Sequence, residues 1–301
     1  MEKYLILIAG PTAVGKTQLS LSIAEQYKTD VISCDSRQFY KEMCIGTAVP
    51  NAYELSKIKH HFIQNLSIQD NYSIGQFERD ALAKIEALHK NNKVVVMVGG
   101  SGMYIDAVCK GLDDFPPVSD SIREELNLRH QNEGLDALKE ELMKLDPDYH
   151  ELVDSSNPHR IIRAIEVCIV SGKPFSSFRK QLAKKRNFKT VKIILNRERE
   201  ELYSRINKRV DKMMTEGLLE EVKRLYNYKN YNALQTVGYK ELIAYFDGEW
   251  DLETAIEEIK KNTRRYAKRQ MTWFRRDSNN HFFKPENESE IMAYLKENIT
   301  N

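Results

Sequence analysis

The sequence predicts an α/β fold in three layers around a parallel sheet, and three observations support this prediction. Two continuous apolar runs, Tyr4–Ala9 and residues 94–98, have the composition of strands that are buried on both faces. A shorter apolar run, Val31–Ser33, lies between them. Amphipathic helical segments separate the runs, over 16–27 and 73–90. This alternation of buried strands and helices is typical of a parallel sheet covered by helices on both sides.

An inserted all-helical subdomain is predicted over residues 114–189. This stretch lacks strand patterns and instead contains the helical segments DSIREELNLRH, EGLDALKEELMKL and NPHRIIRAIEVCIVSGK. The apolar run TVKIIL, residues 190–195, is then expected to return to the sheet. The core would therefore comprise residues 1–113 and 190–301, and it would include long C-terminal helices over 199–226, 236–246 and 252–275.

The composition is that of an ordinary globular protein. Hydrophobic residues make up 41% and charged residues 30% of the 301 positions, and the formal net charge is only +2. The net charge therefore gives no indication of a nucleic-acid partner, and any such signal must be local. The four cysteines are widely spaced, which argues against a disulfide framework or a zinc site. No apolar run reaches the ~18 residues of a membrane span, so we expect a cytoplasmic protein without a membrane partner.

A phosphate-binding loop (P-loop) is predicted between the first strand and the first helix. The motif GPTAVGKT matches the pattern G-x-x-x-x-G-K-[ST] and consists of Gly10, Pro11, Thr12, Ala13, Val14, Gly15, Lys16 and Thr17. Backbone N–H groups and the helix N-terminus would bind the phosphates. Lys16 would reach the terminal phosphate, and the Thr17 hydroxyl would bind Mg²⁺. A glycine-rich turn without a ligand is the alternative, but the strand and helix on either side favour the P-loop.

The P-loop motif alone does not identify the phosphate ester. A nucleotide-hydrolysing enzyme normally ends a later strand on an aspartate that binds the metal. The strand at 94–98 continues instead into GGSGMY, which contains no acidic residue. This leaves room for a bound diphosphate that is the leaving group of the reaction, in place of ATP.

Asp35 follows the strand Val31–Ser33, at the edge where ligands bind in open α/β sheets. A carboxylate beside an anion site either binds a metal or, as a general base, accepts a proton from the attacking group. The simpler alternative is that Asp35 only caps the next turn.

Several polar side chains are expected near Asp35. Ser36, Arg37 and Gln38 follow it directly, and their hydroxyl, guanidinium and amide groups are suited to the edge of a flat polar base. Ser101 lies in the glycine-rich turn after the 94–98 strand and should reach the same edge of the sheet. It would act there as a ligand or as a simple helix cap.

Two stretches of the chain are rich in basic residues and contain no acidic residue. Residues 260–276 contain eight lysines and arginines on a helix whose apolar stripe includes Ile259, Tyr266 and Trp273. Residues 179–192 contain seven more. Charge runs are usually solvated surface, but two acid-free stretches in a chain of balanced charge favour a polyanionic partner.

Six segments together resemble the tRNA dimethylallyltransferase family, also called tRNA isopentenyltransferases: GPTAVGKT, DSRQFY, GGSGMY, HRIIRAIEV, TVGYKEL and TRRYAKRQMTWFR. They cover nearly the whole chain in the expected order. The family usually has threonine where this chain has Ser101, and serine retains the hydroxyl. The sequence lacks the zinc-finger tail of the eukaryotic members, as is typical of the bacterial type.

The resemblance implies a prenyl transfer from dimethylallyl diphosphate to the exocyclic N6 amine of the adenosine at tRNA position 37, next to the anticodon. The tRNAs would be those that read codons beginning with U. Asp35 would be the general base, with Ser101 and Arg123 as further catalytic residues and Mg²⁺ as cofactor. The target adenine would leave the stack of the loop to reach the site.

The resemblance also implies which residues contact the anticodon stem-loop of the tRNA. They are Asp35, Ser36, Arg37, Gln38, Ser101, Arg123, His159, Arg160, Ile161, Ile162, Arg163, Gly238, Tyr239, Lys240, Arg264, Arg265, Lys268 and Arg269. We expect the protein to act as a monomer. The alternatives are a P-loop kinase of a small metabolite, a prenyltransferase that acts on free adenine nucleotides, and a non-catalytic RNA-binding module.

Overall fold

The computed structural model describes residues 2–180 and 183–299, and the chain divides into two compact units. One unit comprises the residues up to 109 together with those from 185 onwards, and the other comprises residues 110–184. The sequence patterns had suggested 114 and 189 as the edges of an insertion.

The first unit contains a six-stranded sheet in which all neighbouring strands are parallel, in the order β3-β2-β4-β1-β5-β6. The predicted parallel α/β core is therefore confirmed. The strands β3 and β6 were not predicted, because two residues are too few to give a periodic pattern. The strands are β1 (Tyr4–Ala9), β2 (Val31–Ser33), β3 (His60–His61), β4 (Val94–Gly99), β5 (Lys189–Leu195) and β6 (Phe282–Phe283).

Helices cover both faces of the sheet. Alternate residues of β1 enter two different cores, with Ile6 and Ile8 on one side and Leu5 and Leu7 on the other, which explains why the strand is continuously apolar. The helices of this unit are α1 (Lys16–Gln26), α2 (Ala52–Lys57), α3 (Ile74–Leu88), α4 (Gly102–Lys110), α8 (Arg199–Thr215), α9 (Leu218–Leu225), α10 (Tyr239–Phe246), α11 (Leu252–Phe274) and α12 (Glu288–Asn298).

The prediction of one continuous helix over 199–226 is wrong, because two helices, α8 and α9, occupy this range. Gly217 lies between α8 and α9 with φ of +99°, in the left-handed region that interrupts a helix. The helical periodicity continues across this break, so the pattern alone did not reveal it.

The second unit is helical. It contains α5 (Asp120–Leu145), α6 (Pro147–Leu152), α7 (Pro158–Ser171) and a short 3₁₀ helix, Phe175–Phe178. Its own apolar core includes Leu138, Ile161 and Ile165. Within the described ranges of the chain, no helix is both long and apolar enough to cross a membrane.

The sheet register brings three loops to one edge. Ala9 at the end of β1 pairs with Gly99 at the end of β4, and Ser33 at the end of β2 pairs with Val98. The segments that follow these strands begin with Gly10, Cys34 and Gly100 and therefore emerge side by side. This edge carries the P-loop and the residues around Asp35.

Candidate active site

The P-loop, residues 10–17, has the curled backbone that the motif predicts. Gly15 has φ of +117° immediately before α1, and a Cβ on Gly10 would lie 2.7 Å from the backbone oxygen of Leu195. Glycine is therefore required at both places. No side chain caps the N-terminus of α1. Its first N–H groups are thus available to an anionic ligand, which the helix dipole also favours.

Lys16 begins α1 and folds back over the loop. Its Nζ donates hydrogen bonds to the backbone oxygens of Pro11 at 2.8 Å and of Gly10 at 3.0 Å. Burial lowers the pKa of Lys16 to about 8, Asp35 opposes this shift and Arg209 adds to it. An anion bound in the loop would favour the charged form of this lysine.

Two arginines that follow β5 in the chain donate hydrogen bonds to backbone oxygens of the P-loop. Arg197 Nε donates to the backbone oxygen of Val14 at 2.9 Å, and Arg205 Nε donates to that of Ala13 at 2.8 Å. Ala13 has φ of +62°, a conformation that few residues other than glycine adopt. These bonds satisfy the carbonyl groups of Ala13 and Val14.

Gln270 connects the P-loop to the turn that contains Ser101. Its Oε1 accepts a hydrogen bond from Thr12 N at 2.9 Å, and its Nε2 donates to Gly100 O at 2.9 Å. The side chain is buried. One amide of α11 therefore fixes the relative position of the two turns.

Asp35 makes one hydrogen bond that a turn cap would make. Its Oδ1 accepts the backbone N–H of Arg37 at 3.1 Å, and the backbone oxygen of Asp35 accepts the N–H of Gln38 at 3.1 Å. Asp35 therefore caps this turn, whatever else it does. Oδ2, in contrast, has no hydrogen bond to the described residues, so one carboxylate oxygen remains available for chemistry.

Ser101 and Ser36 contact each other beside Asp35. Ser101 Oγ accepts the backbone N–H of Ser36 at 3.3 Å and lies 3.4 Å from Ser36 Oγ. Tyr266 lies close to both residues: burial, followed by the charge of Asp35, raises the pKa of its phenol to about 12, and the neighbouring Ser101 hydroxyl opposes this shift. The sequence had placed Tyr266 only in an apolar stripe, whereas its hydroxyl lies at the site.

Arg37 and Gln38 are already engaged with neighbouring loops. Arg37 Nη1 donates to the backbone oxygens of Asn232 at 2.9 Å and Ala233 at 3.2 Å. Gln38 Nε2 donates at 3.2 and 3.0 Å to the backbone oxygens of residues 47 and 48. In this conformation the Gln38 Nε2 donors are engaged, whereas Arg37 Nε and Nη2 make no hydrogen bond to the described residues.

Arg209 is a site residue that sequence reasoning missed. It is half-buried on α8 and makes no hydrogen bond or ion pair with the described residues. Burial lowers the pKa of Arg209, the charge of Asp35 raises it, and nearby Arg205 lowers it further. A cation that is desolvated without an anionic bond is suited to an anionic ligand. The only sequence signal was the four-residue spacing of Arg205 and Arg209, which places both on one helix face.

Four of the residues expected to contact tRNA are buried in this structure. Ile161 and Ile162 belong to the core of the helical unit. Gly238 is buried as well, and Tyr239 is fully buried, where its hydroxyl donates to Glu221 Oε1 at 2.6 Å. Glu221 in turn accepts the backbone N–H groups of residues 44–46 at 2.9 to 3.0 Å.

The basic helix α11 presents only part of its charge to solvent. Arg265, Lys268 and Arg269 are exposed. Arg264 is half-buried, and its Nη1 donates to Asn207 Oδ1 at 2.7 Å. Lys240, on α10, is exposed.

The second basic stretch, residues 179–192, is largely neutralised by acidic residues. The ion pairs are Lys184–Asp114, Arg186–Glu78, Lys189–Glu2 and Lys192–Asp277, each with an N–O distance of 2.6 Å. Four of its seven cations therefore have internal partners, so fewer of them are available to a polyanion than the charge count alone suggests. Residues 181 and 182 lie outside the described part of the chain.

Arg123 lies in the helical unit and forms a two-pronged ion pair with the buried Glu166. The distances are 2.5 Å from Nε to Oε1 and 2.7 Å from Nη2 to Oε2. Arg163 Nη1 contacts Glu166 Oε2 at 3.2 Å. His159 and Arg160, on the same helix α7, are exposed.

Comparison with known proteins is consistent with this geometry. A sequence model of the family IPPT, described as IPP transferase, matches residues 38–277. A protein from Christiangramia forsetii named tRNA dimethylallyltransferase is 56% identical over 99% of both chains. A protein of the same name from Flavobacterium johnsoniae is 52% identical over 99% of this chain and 98% of its own.

Solved structures agree with the sequence relatives. The tRNA isopentenylpyrophosphate transferase of Bacillus halodurans superposes with a TM-score of 0.70 at 37% identity, over 99% of this chain and 98% of that one. A eukaryotic dimethylallyltransferase acting on tRNA gives a TM-score of 0.82 at 28% identity, over 99% of this chain and 79% of that one. The chain therefore belongs to the IPP transferase family, together with these tRNA dimethylallyltransferases.

Proposed function

We propose that this protein transfers a dimethylallyl group from dimethylallyl diphosphate to the N6 amine of adenosine 37 in tRNA. The observation that carries the proposal is the free Oδ2 of Asp35, next to a phosphate loop that contains Lys16. A proton acceptor beside an anion site is what this transfer needs, because one substrate is a diphosphate ester and the other must lose a proton. The protein would act as a monomer in the cytoplasm.

Asp35 acts as the general base in this proposal. The lone pair of the adenine amine is delocalised into the ring, so the amine is a poor nucleophile until its proton is accepted. As N6 forms a bond to the allylic carbon, the carbon–oxygen bond to diphosphate breaks and its electron pair leaves with the diphosphate. The N6 proton passes to Asp35 Oδ2. The hydrogen bond from Arg37 N to Oδ1 keeps the other oxygen oriented toward the substrate.

The cations of the P-loop region bind the diphosphate and stabilise the charge that develops on it. Lys16, the N–H groups at the start of α1, and Arg209 would supply these interactions. Lys16 would leave the carbonyl groups that it now contacts and turn to the phosphate. Because Arg209 lies close to both Lys16 and Asp35, it would bind the diphosphate at its reactive end.

A magnesium ion fits the Thr17 hydroxyl, which makes no hydrogen bond to the described residues. No group of three acidic, histidine or cysteine side chains within those residues could hold a metal by itself. Thr17 and phosphate oxygens would therefore be its ligands, as in other P-loops. When bound, the ion neutralises negative charge on the diphosphate.

Ser101 and Tyr266 would lie next to the adenine ring, on the side of the site where Asp35 lies. The Ser101 hydroxyl contacts Ser36, and the phenol of Tyr266 lies beside it, so the site provides donors and acceptors for the polar edge of adenine. Arg265, Lys268 and Arg269 on α11, and Lys240 on α10, would contact the phosphates of the anticodon stem-loop because they are exposed. Arg123, His159, Arg160 and Arg163 in the helical unit would add further contacts.

The direct test is product analysis. The protein is incubated with dimethylallyl diphosphate, Mg²⁺ and unmodified tRNA, and the nucleosides of the tRNA are then analysed by mass spectrometry. We expect dimethylallyl-adenosine at position 37, with release of diphosphate and no requirement for ATP. AMP as acceptor is the control, since efficient prenylation of AMP with no tRNA product would point to a free-nucleotide enzyme. A product that forms only with ATP would contradict the proposal.

A further inference from the structure

The helical unit contains a cationic cavity that the transfer mechanism does not use. Its volume is about 340 Å³, and it lies entirely within residues 149–179. Arg160, Arg163 and Arg179 line it, and no acidic side chain does. The volume lies at the lower end of the ~300–1,000 Å³ of small-ligand pockets, so the cavity has room for a single nucleotide but not for a helix of RNA.

Two of the three arginines are held in place. Arg163 Nη1 lies 3.2 Å from the buried carboxylate of Glu166, and its guanidinium lies 5.7 Å from the ring centre of Phe115. The guanidinium of Arg179 lies 5.2 Å from the ring centre of Tyr149. Fixed, planar guanidinium groups bind phosphate and stack on bases at a smaller entropic cost than flexible cations.

The negative charge near this cavity does not balance its arginines. Glu166 is shared between Arg163 and Arg123, so it cannot neutralise both. Arg160 is exposed and has an acidic neighbour, Asp154, whose pKa is lowered by hydrogen bonds from Ser156 and further by Arg160. Arg179 makes no ion pair with the described residues. The excess of positive charge therefore favours an anionic ligand.

The rest of the wall is apolar and aromatic. Tyr149, Phe175 and Leu152 line the cavity. Leu152 is 73% exposed and leaves apolar surface that a ligand could cover. Arginines combined with such a wall are suited to a ligand that carries both a phosphate and a flat ring.

We propose that this cavity binds one nucleotide of the substrate RNA, other than the target adenosine. Arg160 and Arg163 would bind its phosphate, while its base would lie against Leu152 and the guanidinium plane of Arg179. This inference rests on the proposed function, since it takes tRNA as the substrate. The RNA would then be recognised at two points: the target adenosine in the transfer site, and one other nucleotide in this cavity.

The test compares two double variants of the full-length protein. Arg160→Ala/Arg179→Ala removes two cavity arginines, and Lys144→Ala/Lys173→Ala removes two exposed cations of the same unit that do not line the cavity. Both variants are first checked for unchanged thermal unfolding. We expect the cavity variant to raise KM for tRNA by about 10- to 100-fold, the loss associated with one stacked base. Its kcat at saturating tRNA and its KM for dimethylallyl diphosphate should match the wild type.

The nucleotide is then located with anticodon stem-loops that have one abasic position each. One such position should weaken binding to the wild type and to the control variant, but have little further effect on the cavity variant. Equal tRNA affinity of the cavity and control variants would overturn the proposal. So would abasic losses that are the same in all three proteins, because the cavity would then contact no base. The proposed function is tested separately by the rate at which the wild-type protein prenylates tRNA. That rate would be unaffected if the cavity bound no RNA, so the two proposals can fail independently.

Discussion

The two turns that begin at the ends of β1 and β2 lie at the same edge of the sheet, but their functions depend on different atoms. In the P-loop the ligand would be bound mainly by backbone N–H groups, with Lys16, Thr17 and Arg209 adding to them. In the turn at Asp35, backbone bonds hold one carboxylate oxygen in place and the other oxygen would do the chemistry. Several groups would together bind the diphosphate, whereas a single oxygen atom would accept the proton. Substitutions in the two turns should therefore affect different kinetic constants.

The largest effect should come from Asp35→Ala. Removing the general base should lower kcat by about 10²–10⁴-fold, the usual contribution of a positioned base. The tRNA affinity should change far less, by no more than the ~1–3 kcal/mol of one base contact. Steady-state kinetics and direct tRNA binding check this. A variant that lost tRNA affinity but kept kcat would show that Asp35 binds RNA and is not the general base.

Arg209→Ala should have the next largest effect and should affect the diphosphate. A charged hydrogen bond contributes ~1.5–3 kcal/mol, so KM for dimethylallyl diphosphate should rise about 10- to 100-fold. The tRNA affinity should stay close to that of the wild type.

Lys208→Ala is the matched control, since Lys208 is an exposed cation next to Arg209 on α8. It should leave both constants unchanged. Equal effects of the two substitutions would mean that Arg209 contributes only to the general positive charge of the helix.

A smaller effect is expected from Lys268→Ala/Arg269→Ala on α11. Two phosphate contacts would be lost, which should reduce the slope of log affinity for tRNA against log salt by about 0.7–0.9 for each contact. Binding of dimethylallyl diphosphate should not change. Lys261→Ala is the control, because Lys261 already pairs with Glu258 at 2.6 Å. If the double variant and this control have the same salt slope, the exposed face of α11 does not contact RNA.

The smallest effect on catalysis is expected from Tyr239→Phe. This change removes the 2.6 Å hydrogen bond to the buried Glu221, which holds the segment 44–46. It should lower the free energy of unfolding by about 1–3 kcal/mol, because a buried acceptor loses a partner. The kcat, measured below the melting temperature, should change little. Chemical denaturation measures the loss of stability, and steady-state kinetics measures kcat. A large loss of tRNA binding in a variant of unchanged stability would indicate that the Tyr239 hydroxyl itself contacts tRNA.

Features that depend on neighbouring residues could be predicted from the sequence. The P-loop follows from the order of strand, glycine-rich loop and helix, and Asp35 follows from its place after a short buried strand. The start of α3 was also predictable to within a residue, since Ser73 accepts the N–H of Gln76 in a capping box.

Features that depend on distant residues could not be predicted in this way. Gln270 bonds to Thr12 across 258 positions of the chain, and Arg205 bonds to Ala13 across 192. No local pattern encodes such pairs. The same reason applies to the two basic stretches. Their charge counts are similar, but only the fold determines which cations have acidic partners: four in residues 179–192, against Lys260 and Lys261 on α11.

The most direct test of the central claim is the single-turnover rate of Asp35→Asn. Asparagine keeps an oxygen that can accept the N–H of Arg37, so the turn should be preserved, but its amide cannot accept the N6 proton. At saturating dimethylallyl diphosphate and tRNA, we expect the rate of prenyl transfer to fall by about 10²-fold or more while the tRNA affinity stays close to that of the wild type. A variant that transfers the prenyl group at nearly the wild-type rate would show that Asp35 only caps the turn, and it would contradict the proposed mechanism.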